Sequence, residues 1–349
     1  MERRRLGKSD LMIAPVMLGG NVLGWTADEK TSFAILDAFL AAGFNAVDTA
    51  DVYSTWVPGH RGGESETVLG NWFAARKNRD KVMLASKVGY PMGPDKRGLS
   101  RAYIVEAVDA SLKRLRTDHI DLYFAHIDDR KVPLDETLDA FAGLVKAGKV
   151  RTIGASNYSA ARLAAALSIS ERHGLPRYEV LEPLYNLYDR AAFEGGLEAV
   201  CRRHQLGVVP YCALALGFLS GKYRTKSDVK KSPRGTKAVS KYLNPRGETI
   251  LAALDAAAAQ VGATPAQVAL AWLIAKPAVS APIASVTSLD QLKDIVAAAT
   301  LKLDEQTLAG LEAASGPSGV LQTLGLHLRM FAETTRIKVR KARGLSVGH

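Results

Sequence analysis

Gly43-Phe44-Asn45-Ala46-Val47-Asp48-Thr49-Ala50-Asp51-Val52-Tyr53 is the stretch whose reading decides the fold. A short β-prone run ends in two carboxylates, and a tyrosine follows five residues after the first of them. Alone the pattern has ordinary explanations. An Asp beyond a strand can cap a helix or sit in a turn, and a tyrosine there can be the amphipathic edge of a core. The neighbouring segments change the reading. Leu84-Ala85-Ser86-Lys87 ends the next apolar run with a cation, and Leu122-Tyr123-Phe124-Ala125-His126 ends the one after with an imidazole. Three successive strand-like segments thus each deliver an ionisable group at the C-terminal end, which is how a (β/α)8 barrel builds a site.

Outward from this stretch the strand–helix alternation continues. Residues 5–15 predict a hairpin turning at Gly7-Lys8-Ser9-Asp10, and Val16 to Gly20 a first barrel strand. Thr26-Ala27-Asp28-Glu29 opens a helix through Ala42, with Phe33, Leu36 and Leu40 at helical spacing and Gly43 as the stop. Further strands are expected at 45–50, 82–88, 120–126, 150–155, 179–184, 208–212 and 281–286. Helices are expected at 64–76, 101–116, 134–147, 159–173, 196–205, 249–261, 265–275 and 289–299. Eight strand candidates separated by helical patterns predict an α/β fold, a (β/α)8 TIM barrel, over residues 1–315 as a single domain. Residues 316–349 read as a C-terminal extension. After Gly316-Pro317-Ser318-Gly319 come Leu321, Leu324, Leu328 and Phe331 on one helical face, with a basic end that is either solvated or a partner- or membrane-binding surface.

At Asp48, Tyr53, Lys87 and His126 the chain resembles the aldo-keto reductase family, whose catalytic tetrad is Asp, Tyr, Lys and His in this order. The resemblance runs from about residue 5 to 315. It implies a nicotinamide-dependent oxidoreductase acting on a carbonyl or alcohol substrate (aldehyde, ketone or sugar-like), with Tyr53 as general acid/base. The alternative it leaves open is a cofactor-binding regulatory or partner-binding subunit with little turnover. Carbonyl reduction needs a hydride on carbon and a proton on oxygen, and nicotinamide supplies only the hydride. A phenol, with a pKa of about 10, is a weak acid at neutral pH. The Lys87 ammonium is expected to lower that value by favouring the phenolate, Asp48 to hold Lys87, and His126 to orient the carbonyl oxygen.

The same resemblance assigns cofactor residues. Ser156 and Asn157 match the pair that hydrogen-bonds the nicotinamide carboxamide. Glu182, in Glu182-Pro183-Leu184-Tyr185-Asn186-Leu187, stands where the family motif has glutamine. Tyr211, in Val209-Pro210-Tyr211-Cys212-Ala213-Leu214, matches the aromatic that stacks on the ring, and Cys212 stands where serine is commoner. Leu214 continues that motif, and Gly217, Ser220 and Lys222 match the pyrophosphate-contacting turn. Gly217-Phe218-Leu219-Ser220-Gly221-Lys222 is not a P-loop, because its glycines are one residue too close and Tyr223 replaces the required Ser/Thr. Ser285, Thr287 and Gln291 fall at the adenosine end. The resemblance implies NADP by family habit, but that segment carries no cation where NADPH-preferring relatives place one, which leaves NAD as the alternative. Trp25, Trp56 and Tyr90 follow successive strands and either line a substrate mouth or pack the barrel edge.

Composition sets the remaining bounds. The 349 residues are 47% hydrophobic and 23% charged, as in ordinary globular proteins. Two cysteines, Cys201 and Cys212, make no disulfide framework. The seven histidines show no metal-ligand spacing such as H-E-x-x-H, so no metal site is expected. No apolar run reaches the roughly eighteen residues of a transmembrane helix. Arg3-Arg4-Arg5 before Leu11–Gly20 imitates a signal peptide, but Asp10 and Pro15 interrupt it, and a cytoplasmic location is expected. The formal net charge of +11 is concentrated in two places. Residues 222–246 hold nine Lys/Arg against one Asp, and 329–343 six against one Glu. Such charge gives generic affinity for polyanions, yet no nucleic-acid module accompanies it, so no specific nucleic-acid partner is expected. The segment 222–246 reads as a solvated loop or as a cation source for the cofactor. The oligomeric state cannot be read from the sequence.

Overall fold

A computed structural model of the chain describes residues 2–316. The expected tail helix with Leu321, Leu324, Leu328 and Phe331 lies outside them. The chain opens with an antiparallel hairpin, β1 (Arg4–Arg5) and β2 (Met12–Ile13). Eight parallel strands follow: β3 (Met17–Gly19), β4 (Ala46–Asp48), β5 (Met83–Val88), β6 (Ile120–Ala125), β7 (Val150–Ser156), β8 (Tyr178–Glu182), β9 (Gly207–Val208) and β10 (Ile283–Ala284). They are ordered β10-β3-β4-β5-β6-β7-β8-β9. Backbone bonds from Ser280 N to Val208 O (2.8 Å) and Ile283 N to Pro210 O (2.9 Å) join the two ends. The sheet is therefore closed into a (β/α)8 barrel.

The helices that cover it are α1 (Glu29–Ala41), α2 (Glu64–Arg76), α3 (Arg101–Leu115), α4 (Leu134–Lys146), α5 (Ala160–His173), α6 (Gly196–His204), α7 (Gly235–Tyr242), α8 (Pro245–Val261), α9 (Pro265–Ile274), α10 (Leu289–Ala298) and α11 (Glu305–Ser315). Several begin where a short polar side chain satisfies a free backbone N–H: Asp28 accepts from Thr31 N, Ser159 from Arg162 N, and Thr264 and Gln267 form a capping box. Leu69, Trp72, Ile104, Leu138, Phe141 and Leu163 turn the inner faces of these helices toward the sheet.

A second, smaller core fills the barrel itself. Met17, Ala46, Met83, Ala85, Leu122, Phe124, Val180, Val209 and Ile283 meet inside it, and Leu6, Leu11 and Ile13 of the hairpin plug its lower end. Gly154 is required within this layer, because a Cβ there would lie 2.5 Å from the Phe124 ring.

Several boundaries depart from the sequence reading. The regular strands are shorter than expected at β4, β9 and β10, although single backbone bonds such as Thr49 N to Ala85 O (2.9 Å) and Tyr211 N to Pro183 O (3.0 Å) continue beyond them. The basic segment 222–246 is no open loop. Lys226–Lys231 form a 3-10 turn started by a Thr225/Asp228 capping box, α7 follows, and α8 starts at Pro245, four residues before the expected 249. The Asn244-Pro245 pair was the available signal, with the Asn244 side chain accepting from Gly247 N and proline at the first helical position. Much of the charge there is paired: Arg224 with Asp255, Lys241 with Asp189, and Arg246 with the carbonyls of Ser315 and Gly316.

Candidate functional site

Alternation along each strand brings the site together. Side chains two residues apart share a face, so the residues that follow the inner core upward are fixed by register. Ala46 leads to Asp48, Met83 and Ala85 to Lys87, Leu122 and Phe124 to His126, Gly154 to Ser156, Val180 to Glu182, Val209 to Tyr211, and Ile283 to Ser285. Pairing of Asp48 with Ala85, Lys87 with Phe124 and Ser156 with Glu182 sets them at similar heights around the C-terminal mouth. Tyr53 comes from the loop after β4, which turns back with Tyr53 N bonded to Ala50 O.

Lys87 is fully buried at the centre. Its ammonium contacts Asp48 Oδ1, donates to Thr49 O at 2.9 Å, and lies 2.7 Å from the Tyr53 hydroxyl. The Tyr53 hydroxyl donates to Asp48 Oδ2 at 2.8 Å. Asp48 is drawn in two directions: burial raises its pKa and Lys87 pulls it back. His126 is 8% exposed, and its Nδ1 has no partner among the described residues. Burial, reinforced by Lys87, holds its pKa well below the ordinary value, so the imidazole is neutral.

The lowering of the Tyr53 pKa expected from Lys87 is outweighed in this geometry. Burial first, then the Asp48 and Glu182 carboxylates, push the phenol well above its usual value. The Lys87 cation is already matched by Asp48, and its net effect on the phenol is outweighed. Tyr53 is consequently a fully protonated donor at neutral pH.

The residues assigned to a cofactor fall into three groups. Ser156, Asn157, Glu182 and Tyr211 form one network. Ser156 Oγ donates to Glu182 O (2.9 Å), Asn157 Nδ2 to His126 O (2.9 Å), and the Tyr211 hydroxyl to Asn157 Oδ1 (2.9 Å). Asn157 and Cys212 both hold left-handed backbone (φ 59° and 54°), which turns the chain sharply at the ends of β7 and β9. Leu214 O accepts from Gly217 N, Ser220 Oγ from its side donates to Gly217 O (2.7 Å), and the Lys222 side chain folds over Gly217. Ser285 Oγ donates to Asn21 Oδ1 (2.6 Å), whereas the exposed Gln291 side chain accepts from Thr287 N (2.9 Å) and braces the start of α10.

The three aromatic candidates gather at the same mouth. Trp25 and Trp56 meet edge to face at 5.7 Å, Trp56 lies 6.2 Å from Tyr53, and Tyr90 packs 4.6 Å from His126. Trp56 remains 45% exposed. Arg234 is a residue that the sequence reading left within an undifferentiated basic run. It crosses from α7's N-terminal side to place its guanidinium 5.7 Å from the Trp25 ring. Neither Arg234 nor Lys222 forms an ion pair among the described residues, unlike Arg224 and Lys241. Asn186 and Asp189 were also missed: Asn186 donates to Cys212 O (3.0 Å), and Asp189 accepts from Tyr242 (2.8 Å). Only the three-dimensional return of 186–189 to the β9 loop reveals them.

Residues 15–315 match the family described as "Aldo/keto reductase family". The chain is 37% identical over 328 residues to the uncharacterized oxidoreductase YrpG of Bacillus subtilis, covering 91% of this chain and 98% of the relative. It is 31% identical to norsolorinic acid reductase B of Aspergillus parasiticus, covering 88% and 82%. It is 32% identical to a protein of Schizosaccharomyces pombe named as a putative voltage-gated potassium channel subunit beta, covering 84% and 87%.

Proposed function

The chain belongs to the aldo/keto reductase family, and we propose that it is a nicotinamide-dependent oxidoreductase in which Tyr53 exchanges the proton with a carbonyl or alcohol oxygen. The observation that carries this reading is the Tyr53 hydroxyl held between Asp48 Oδ2 at 2.8 Å and Lys87 Nζ at 2.7 Å at the mouth of the barrel. A nicotinamide, when bound, supplies or accepts the hydride. The donor set suits such a group: among the described residues His126 Nδ1 and Glu182 Oε2 are buried without a hydrogen-bond partner, Arg234 lies over the Trp25 ring, and neither it nor Lys222 forms an ion pair. Ser156, Asn157, Glu182 and Tyr211 would hold the nicotinamide end. Leu214, Gly217, Ser220, Lys222 and Arg234 would meet the phosphates, with Cys212 between these groups. Ser285, Thr287 and Gln291 would lie toward the adenosine. NADP is the family's usual cofactor, and Lys222 and Arg234 supply the charge that the 285–291 segment lacks.

In reduction, Tyr53 gives its proton to the substrate oxygen, and the Lys87 ammonium stabilises the phenolate that forms. Asp48 keeps Lys87 charged and aimed. His126, being neutral, offers a hydrogen bond without adding a positive charge that would compete for the proton. Trp25, Trp56 and Tyr90 give the mouth an apolar, flat-sided wall that excludes water and favours carbonyl compounds bearing an aromatic or broad apolar group. Fluorescence titration with NADPH and NADH, followed by turnover on a panel of aldehydes and ketones, tests the reading. Binding and turnover support it; no binding of either cofactor overturns it. Binding without turnover across the panel favours instead a cofactor-loaded subunit, the role suggested by the name of the Schizosaccharomyces pombe relative.

A further inference from the structure

Two carboxylates share one cation at the head of this barrel. Lys87 has three N–H donors, and Asp48, Thr49 O and the Tyr53 hydroxyl account for all of them. Glu182 Oε2 stands 3.6 Å from Lys87 Nζ, an ion-pair contact beyond good hydrogen-bonding reach, and has no hydrogen-bond partner among the described residues. The titratable groups that face Glu182 are Lys87 on β5, Asp48 on β4, Tyr53 on the loop after β4, and Tyr211 and Cys212 beyond β9. Only Lys87 among them is a cation. A carboxylate that is 2% exposed, whose Oε2 receives no hydrogen bond and whose single cation is already engaged by Asp48, is costly when ionised, so the neutral acid is favoured at this position.

We propose that Glu182 makes recognition of the cofactor's oxidation state proton-linked: the oxidised form is bound with loss of the Glu182 proton, and the reduced form with the proton retained. The inference rests on the nicotinamide reading of the site. Oxidised nicotinamide carries a positive ring and reduced nicotinamide a neutral one. A cation arriving beside Glu182 supplies the second positive charge that two ionised carboxylates require, and a neutral ring does not. The step is a simple acid dissociation. The Glu182 O–H bond breaks, its electron pair stays on the carboxylate, and the proton passes to the buffer.

The direction with pH follows from linkage. Burial first, together with the repulsion from Asp48 and against the attraction of Lys87, pushes the Glu182 carboxyl of the free protein up to about 8. Below that value the free protein holds a proton that the complex with the oxidised form has released, so affinity for the oxidised form rises with pH by up to about tenfold per unit. Above it both states are ionised and the dependence levels off. The reduced form binds without this dependence. As a neutral acid Glu182 also offers one donor and one acceptor, whereas the ionised group only accepts. The two redox states therefore meet chemically different side chains.

The test is the ratio of dissociation constants for NADP+ and NADPH, measured by fluorescence titration from about pH 6.5 to 8.5, a range that brackets the Glu182 transition. Because both forms carry the same phosphates, phosphate titration cancels in the ratio. The expected result is a shift of about 25-fold toward NADP+ across the range in the parent, and a flat ratio in Glu182→Gln. A second measurement needs no variant: an indicator dye in weak buffer at neutral pH should report proton release on mixing with NADP+ and none with NADPH. A flat parental ratio, an equal slope in Glu182→Gln, or equal proton release with both forms overturns the proposal while leaving the nicotinamide reading intact. Failure of both forms to bind overturns the nicotinamide reading and this inference with it.

Discussion

Replacing Glu182 by Gln should change how the cofactor-free protein responds to pH, and the size of the change can be worked out from its surroundings. Glu182 is 2% exposed, and its carboxyl is raised from 4.5 to about 8, with burial as the leading cause. A folded-state value above the unfolded one means that the native protein holds this proton more tightly. The associated stability is complete below the unfolded pKa of 4.5 and is lost as pH rises through the folded value of about 8. A displacement of roughly 3.5 units corresponds to at most about 5 kcal/mol. Gln keeps the size and does not titrate, so the variant escapes that loss. The titrations of Asp48 and Tyr53 are common to both proteins and cancel largely in the difference. Urea unfolding at about pH 5, 7 and 9, spanning the window set by these values, is the assay. With an m-value of about 3 kcal/mol/M for a domain of this size, the variant's midpoint should gain about 1–2 M on the parent between the extremes. A parent–variant difference that stays constant over the range would refute the assignment of Glu182 as a neutral buried acid.

Other consequences can be tested alongside. Lys87→Met removes the cation that stabilises the Tyr53 phenolate, and kcat for carbonyl reduction should fall about 100-fold or more, with a changed pH profile; a parental rate and profile would break the Lys87–Tyr53 coupling. Trp56→Ala should raise KM for an aromatic aldehyde about tenfold, corresponding to roughly 1–1.5 kcal/mol of ring contact, and leave a small aliphatic aldehyde nearly unaffected. Gly70→Ala drives a Cβ into the Arg114 carbonyl where α2 meets α3, and should cost about 1–3 kcal/mol in thermal unfolding. Gly310→Ala on α11 meets nothing within 4 Å and should be neutral or stabilising.

The barrel and the clustering of Asp48, Lys87 and His126 at its mouth were legible because strand periodicity and the ends of apolar runs are local features. Asp48, Lys87 and His126 each close a run whose alternating members form the inner core, so the sequence pattern and the register carry the same information. Tyr53 was legible through its spacing from Asp48 and the family resemblance. The electrostatics were less so. That the pull of Lys87 on the Tyr53 pKa is outweighed depends on burial and on Asp48 and Glu182 converging from β4 and β8, strands far apart in the chain. Arg234 was hidden among nine basic residues, because which of them pair with Asp189, Asp228 or Asp255 is decided by tertiary packing. The folding of 225–246 carried two local signals, the Thr225/Asp228 box and Asn244-Pro245, that the strong charge pattern obscured.

Tyr53→Phe tests the central claim most directly, since it deletes one hydroxyl from between Asp48 and Lys87 and leaves the ring in place. The decisive measurement is single-turnover oxidation of bound NADPH by a saturating aromatic aldehyde, with NADPH affinity determined on the same samples. The account predicts affinity within about twofold of the parent and a reduction rate lower by about 100-fold or more, the scale of a lost general acid. A rate close to the parent's, with cofactor bound and the fold intact, would contradict the assignment of Tyr53 as the proton donor.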